Sequence, residues 1–212
     1  VELARLENDA NACAIADLRM APQANKLNVV YLLLDTGIGG CAVVGGELVR
    51  GHTGYAGELG HMIVGDRGYS TPGGATVDGS LESYIGRRAL FARHRHHGGQ
   101  ATSIGEFVAA LEAGEPAAGK TLSDWAHRLG RGLATIVGVL NPERIVFTGP
   151  IAPLVTQGEA AVRASLDAHL LPGSHLPELT VSRLGREAPA IGAALMLQRD
   201  LFAFDQELLF GA

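Results

Sequence analysis

Cysteine is almost absent from this chain of 212 residues: Cys13 and Cys41 are the only two, far apart and each inside an apolar segment. A disulfide framework is thereby excluded, and isolated thiols of this kind behave as small buried hydrophobes in a reducing compartment. Long apolar runs are also missing. The stretch from Val29 to Leu34 is closed by Asp35, far short of the roughly 20 residues that cross a bilayer as a helix. The first ten residues, VELARLENDA, carry three acidic groups and lack the basic-then-apolar layout of a secretory signal. A cytoplasmic protein with no membrane association is the expectation. Positive charge is scarce too: the formal net charge of -5 argues against this chain gripping a phosphate backbone by itself. The local exception, RRALFARHRHH from Arg87 to His97, reads as the solvated end of a helix, with a metal or anion site as the alternative.

What is present is a globular composition, 47% hydrophobic and 18% charged, enough for one large domain or two small ones. The segment ENDANACAIADL predicts a helix from about Asn8 or Asp9 to Leu18, with Asn or Asp as its N-cap. NVVYLLLD is a continuous β-branched and aliphatic run that predicts a central strand buried on both faces. TGIGG turns the chain into CAVV, and Gly45-Gly46 is a two-residue hairpin signal leading into ELVRG. Beyond a Gly-rich loop, DGSLESYIGRRALFARHR reads as helix. So does SIGEFVAALEAG, where Ser103 and Glu106 have capping-box spacing and Gly114 with Pro116 ends the element.

A longer helix is expected from about Leu122 to Leu140, with Gly130, Gly132 and Gly138 inside it. Each glycine costs up to about 1 kcal/mol relative to alanine unless close packing compensates. RIVFTG then predicts a strand, TQGEAAVRASLDAHL a helix, LTVSRL a strand and APAIGAALMLQRDLFAF a final helix. A three-strand antiparallel meander followed by alternating helices and strands is the α/β layout of one ribonuclease H-like lobe of the actin-like ATPase architecture. On this reading residues 1–26 are the tail end of a preceding lobe outside this chain. Residues 27–187 form the lobe itself, with its Gly-rich loop at 65–79, and 188–212 the C-terminal helix.

Three motifs in order carry a resemblance: ENDANA at Glu7 to Ala12, LDTGIGGCAVVGGELVRGHTGYAGELGH at Leu34 to His61, and GSLESY at Gly79 to Tyr84. Together they resemble the ROK family, which groups bacterial sugar kinases with sugar-responsive transcriptional repressors. The likeness continues through NPERIVFTGPIAP into the last helix.

By residue type alone, Asn8 and Asp9 read as helix-capping groups or as cleft-facing polar groups, since a carboxylate there could accept a hydroxyl hydrogen bond or take its proton. The resemblance implies that Asn8 binds a sugar hydroxyl, and that Asp9 does so too, acting as general base only if the protein is a kinase. Glu58, His61 and Glu82 offer the paired acceptors and mixed donor-acceptor edges that a pyranose needs, and all three match family sugar-binding positions. Glu82 reads equally as a first-turn glutamate favoured by the helix dipole.

Family members commonly carry three cysteines after the histidine that bind a structural zinc with it. The register set by the final Leu-Glu puts Gly73, Ala75 and Ser80 in those places. No thiolate is available there, so no metal is expected, and a loop from about Asp66 to Asp78 more mobile than in zinc-bearing relatives is. Thr36 and Gly37 match a phosphate-approaching turn of the family kinases, yet DTGIGG is also a good hairpin turn. The later nucleotide-side turn reads TGP, and Pro150 removes a backbone donor from it. The functional expectation is the sugar-sensing effector domain of a ROK-type repressor, a homodimer that binds a sugar or sugar phosphate. It would reach DNA through a helix-turn-helix outside this chain and need no cofactor. The alternative is a sugar kinase using ATP and magnesium on a hexose or N-acetylhexosamine.

Overall fold

The structure is a computed structural model that describes residues 6–20, 27–69 and 76–202. One five-stranded sheet organises it, in the order β3-β2-β1-β4-β5. Strand β1 (Val29–Leu34) lies at its centre, antiparallel to β2 (Ile38–Val44) and parallel to β4 (Arg144–Thr148). β3 (Glu47–Leu48) and β5 (Glu178–Val181) are the edges. The antiparallel meander followed by parallel strands is the expected ribonuclease H-like arrangement. Gly45 and Gly46 take φ of 59° and 86°, a left-handed pair that lets Val44 face Glu47 across a two-residue turn.

Alternation along the central strands builds two cores. Val30, Leu32 and Leu34 join Ile145 and Phe147 on one face, against α2 (Leu81–Ile85) and α5 (Pro116–Leu140). Val29, Tyr31, Cys41 and Val43 face the other way with Ala14 of α1 (Asp9–Met20). Both cysteines are buried. Helix α8 (Ala188–Phe202) packs on α1, with Gly192 set against the Ala12 carbonyl, where no Cβ would fit.

Several helix boundaries differ from the sequence expectation. The helix expected across 78–95 is two, α2 and α3 (Arg87–His96), broken at Gly86 with extended backbone. A Cβ there would meet the carbonyls of Glu82 at 2.9 Å and Thr36 at 3.1 Å, so the break is where the helix pair docks on the β1–β2 turn. Helix α4 (Ile104–Glu112) has the expected Ser103–Glu106 capping box. α5 begins at Pro116 rather than near Leu122, because proline suits the first helical turn, where its missing donor is not needed. The helix expected over 156–170 likewise divides at Gly158 into α6 (Pro153–Gln157) and α7 (Glu159–Ala168).

Of the four glycines in α5, two answer to close packing: Gly130 lies against α7 and Gly132 against Leu81, whereas Gly119 and Gly138 have open space around them. The basic run 87–97 is not simply a solvated helix end, since Arg93 and His94 are buried. Burial pulls the Arg93 guanidinium below its usual range, and Nη2 donates to the Tyr84 carbonyl at 3.0 Å. Among the described residues, no helix is long and apolar enough to cross a membrane.

Candidate functional site

Four consecutive residues at the β1–β2 turn and the start of β2, Gly37-Ile38-Gly39-Gly40, are the backbone against which the elements carrying Asn8, Asp9, Glu58, His61 and Glu82 pack. Three elements crowd onto this nearly bare backbone, and each brings polar side chains. The head of α1 comes first. Where a Cβ on Gly39 would stand, Ala10 Cβ is 3.3 Å away and Asp9 Oδ1 3.5 Å. Asn8 serves as the cap its sequence suggested, its Oδ1 accepting from the amides of Ala10 at 2.9 Å and Asn11 at 3.4 Å. Asp9 Oδ1 accepts from the Ala10 amide at 2.8 Å. Both residues are exposed, and capping engages only one oxygen of each side chain.

A 3-10 turn at Leu59–His61 is the second element. It is held against β2 by contacts that only glycine allows: Gly57 has φ of 98°, and a Cβ on it would lie 2.7 Å from the Gly40 carbonyl. Its polar side chains, Glu58 and His61, face one another with Oε2 and Nε2 3.8 Å apart, both nearly half exposed.

Glu82, in the first turn of α2, is the third. Its Oε2 accepts from the Ile38 amide at 2.9 Å and its Oε1 from the Thr76 hydroxyl at 2.6 Å. The carboxylate therefore ties the start of β2 to the far end of the Gly-rich loop. It also lines a cavity of about 130 Å³ with Thr36, Gly37, Tyr69, Thr76 and Arg88. Thr36, Gly37 and Glu82 thus share one pocket; of the others, Asp9 reaches Gly39, while Asn8, Glu58 and His61 are carried by the two segments packed against β2.

Residues that sequence reading passed over complete the picture. The Arg87 guanidinium donates to the Thr36 hydroxyl and lies 3.5 Å from Asp35 Oδ1, and its amide donates to the Asp35 carbonyl at 3.0 Å. An arginine therefore covers the Asp35-Thr36-Gly37 turn. Arg93 stacks 5.0 Å from the centre of the Tyr69 ring and so braces one cavity wall. The only sequence signal for either was the dense basic run, which does not say which members turn inward.

Of the positions aligned with zinc-binding cysteines, Gly73 and Ala75 lie outside the described residues. Ser80 is buried and caps α2, its hydroxyl accepting from the Ser83 amide at 3.3 Å. Its side chain offers a hydroxyl, not a thiolate, so the donor set around His61 does not fit a structural zinc. Among the described residues no cluster of three or more histidine, cysteine or acidic side chains is arranged to hold a metal. At the turn after β4, which the family resemblance would put on a nucleotide side, Gly149 takes φ of 94°, and the Ile151 amide donates to the Leu34 carbonyl at 3.1 Å. That amide is spent inside the fold, and Pro150 between them has none to give.

Comparison with known proteins gives the geometry a context. A sequence profile of the ROK family matches residues 3–200. The xylose repressor of Bacillus spizizenii is 27% identical over 188 residues, 88% of this chain and 48% of the repressor. The ROK hexokinase from Thermus thermophilus superposes with a TM-score of 0.78 at 34% identity, covering 92% of this chain and 65% of the hexokinase chain. A ROK family glucokinase from Streptomyces griseus, solved in complex with glucose and AMPPNP, gives 0.76 at 26% identity, covering 90% of this chain and 67% of its own. Repressors and sugar kinases both stand among the relatives, and this chain spans about half to two thirds of their length.

Proposed function

Because this chain belongs to the ROK family, we propose that it is the sugar-sensing effector domain of a transcriptional regulator, a repressor whose DNA-binding helix-turn-helix lies in sequence outside these 212 residues. The ligand is a sugar or sugar phosphate, held by Asn8, Asp9, Glu58, His61 and Glu82 around the Gly37–Gly40 backbone. These groups supply the kinds of acceptors and mixed donor-acceptor edges that adjacent hydroxyls require. In a homodimer, sugar binding would bias the orientation of the DNA-reading parts.

The observation that favours a sensor over a catalyst is the turn after β4: Pro150 has no amide to offer a phosphate, and the Ile151 amide is already bonded to the Leu34 carbonyl. Arg87, half-exposed on the Asp35-Thr36 turn, is compatible with an anionic ligand such as a sugar phosphate and does not separate the two readings.

A sugar kinase is the second reading, favoured by one feature: Asp9 stands exposed at the head of α1, where a carboxylate could accept the proton of a bound hydroxyl. The full-length protein, assayed with ATP against hexoses and N-acetylhexosamines, separates the two. The sensor reading expects no turnover, and release of operator DNA by one of these sugars. ATP-dependent phosphorylation that is abolished by Asp9→Asn would overturn it.

A further inference from the structure

We propose that the ion pair between Glu7 and Arg50 is the joint that holds the two outer halves of the candidate sugar site in one geometry, so that both are positioning residues for Asn8, Asp9, Glu58 and His61. The inference rests on the sugar-binding reading above and adds to it a pair that touches no ligand.

Glu7 precedes Asn8 directly, and three donors converge on its carboxylate. Arg50 Nη2 lies 2.6 Å from Oε2. Oε1 accepts from Asn11 Nδ2 at 2.8 Å and from the Asn8 amide at 3.1 Å. One side chain thus fixes the backbone at Asn8 and the first turn of α1. Asn8 caps that same turn, so its side chain and that of Asp9 have their direction set from Glu7.

Arg50 stands at the other end of the joint, just after β3. Its carbonyl accepts from the Ala56 amide at 3.2 Å, closing a short turn in which Gly51 leaves only 3.1 Å between a would-be Cβ and Ala56 Cβ. Gly57 follows at once, seated on Gly40, and then the 3-10 turn with Glu58 and His61. Residues 51–55 form an exposed loop, but the Ala56–Arg50 hydrogen bond closes it at its base, so Arg50 is joined to Ala56 and Gly57 without passing through the loop. A shift at Arg50 is therefore passed to them.

An exposed ion pair alone would contribute little. This one differs because the Glu7 side chain is only 11% exposed and its other oxygen is fully engaged. Loss of Arg50 leaves a half-buried carboxylate short of a partner, and the chain relieves that by moving the head of α1.

The test uses full-length protein carrying Glu7→Gln, Arg50→Met, Arg50→Lys or the first two together. Amide hydrogen exchange is followed in residues 8–11 and 50–61, and calorimetry measures binding of D-glucose, N-acetyl-D-glucosamine and D-xylose. Each of the first two variants is expected to speed exchange in both segments, including the one it does not belong to. The double variant should be no worse than either, and Arg50→Lys should restore slow exchange. Affinity for the sugar that binds should fall about five- to tenfold in the same variants and recover with lysine. Exchange that rises only beside the substituted residue, or effects that simply add, would overturn the proposal. Coupled exchange in a protein whose wild type binds none of the three sugars supports the joint and counts against the sugar-binding reading instead.

Discussion

Gly57 seats the turn that carries Glu58 and His61, and replacing it with alanine should separate the cost of backbone strain from the cost of displacing that turn. Gly54, three residues earlier, is the internal control. Both glycines have positive φ, 98° for Gly57 and 85° for Gly54, so alanine at either position is strained by about 1–2 kcal/mol. Both substitutions also stiffen the unfolded chain equally, and that contribution cancels in the comparison. The surroundings differ. Around Gly54 there is nothing within 4 Å, whereas a Cβ on Gly57 would lie 2.7 Å from the Gly40 carbonyl oxygen and 2.9 Å from Cys41 Cα.

Those obstacles are backbone of a sheet strand and cannot rotate away, so overpacking adds about 1–3 kcal/mol. Gly57→Ala should then destabilise by about 2–5 kcal/mol in total and Gly54→Ala by about 1–2 kcal/mol. Urea unfolding with unchanged m-values measures the gap. At temperatures where both variants are folded, sugar affinity should fall in Gly57→Ala and hold in Gly54→Ala. Equal destabilisation by the two would show that the close approach of the turn to β2 is not what the glycine is for. Unchanged sugar affinity in Gly57→Ala would remove Glu58 and His61 from the site.

Two further predictions concern the scaffold. Within α5, Gly138→Ala should raise stability by up to about 1 kcal/mol, since helix propensity is the only effect in open space. Gly130→Ala should lower it, because its Cβ would meet Ser165 Cβ and the Val162 carbonyl at 2.6 Å. Opposite shifts in melting temperature are the signature, and shifts of the same sign would refute the packing argument. The second prediction is a pH dependence at Glu7. Burial alone would raise its pKa, but the hydrogen bonds from Arg50, Asn11 and the Asn8 amide outweigh that and hold it below the ordinary carboxylate range. A depressed folded-state pKa contributes stability that is fully present above the unfolded value and lost as pH falls through the folded one. The stability gap between wild type and Glu7→Gln should therefore narrow as pH is lowered from 6 through about 4 and below, and denaturant unfolding across that range would show a constant gap if the reasoning is wrong.

Local rules made much of this fold legible in the sequence. The Gly45-Gly46 turn, the Ser103–Glu106 capping box and the apolar run of β1 are each specified within a few residues, and each is found where the sequence puts it. The helix break at Gly86 was not legible, because its cause is the docking of Glu82 and Arg87 on a turn some fifty positions away in the chain. Arg93 and His94 were misread for a related reason. Charged residues at helical spacing look solvated unless one knows that the carbonyl of Tyr84 and the ring of Tyr69 are waiting beneath. For the candidate site, motif order drew attention to Asn8, Asp9, Glu58, His61 and Glu82, but it could not say that the elements carrying them pack on one run of glycines at the start of β2. Nor could it show Arg87 over the Thr36 turn, since nothing in the motif distinguishes Arg87 from its neighbour Arg88.

The Gly-rich segment raises the question of what holds Glu82 in place where relatives of the family would use a zinc cluster. The described ends of the segment are clasped by backbone hydrogen bonds: Leu81 donates to Met62 at 2.8 Å, Val64 to Gly79 at 2.8 Å and Tyr69 to Ser83 at 2.7 Å. Glycine is required along this clasp. Gly79 has φ of 77°, and Gly65 and Gly68 lie against Tyr84 and Ser83 with no space for a Cβ. Ser80, which the family resemblance matches to a zinc-binding cysteine, spends its hydroxyl on capping α2. The first turn of that helix is thus anchored at its cap, and Thr76 and the Ile38 amide fix the Glu82 carboxylate from two sides. Backbone pairing and a cap can do the positional work that a metal does elsewhere, at the cost of making Glu82 part of the clasp it depends on. Substituting Glu82 should consequently loosen the loop as well as the ligand, whereas substituting His61, which shares no hydrogen bond with the clasp among the described residues, should affect the ligand alone.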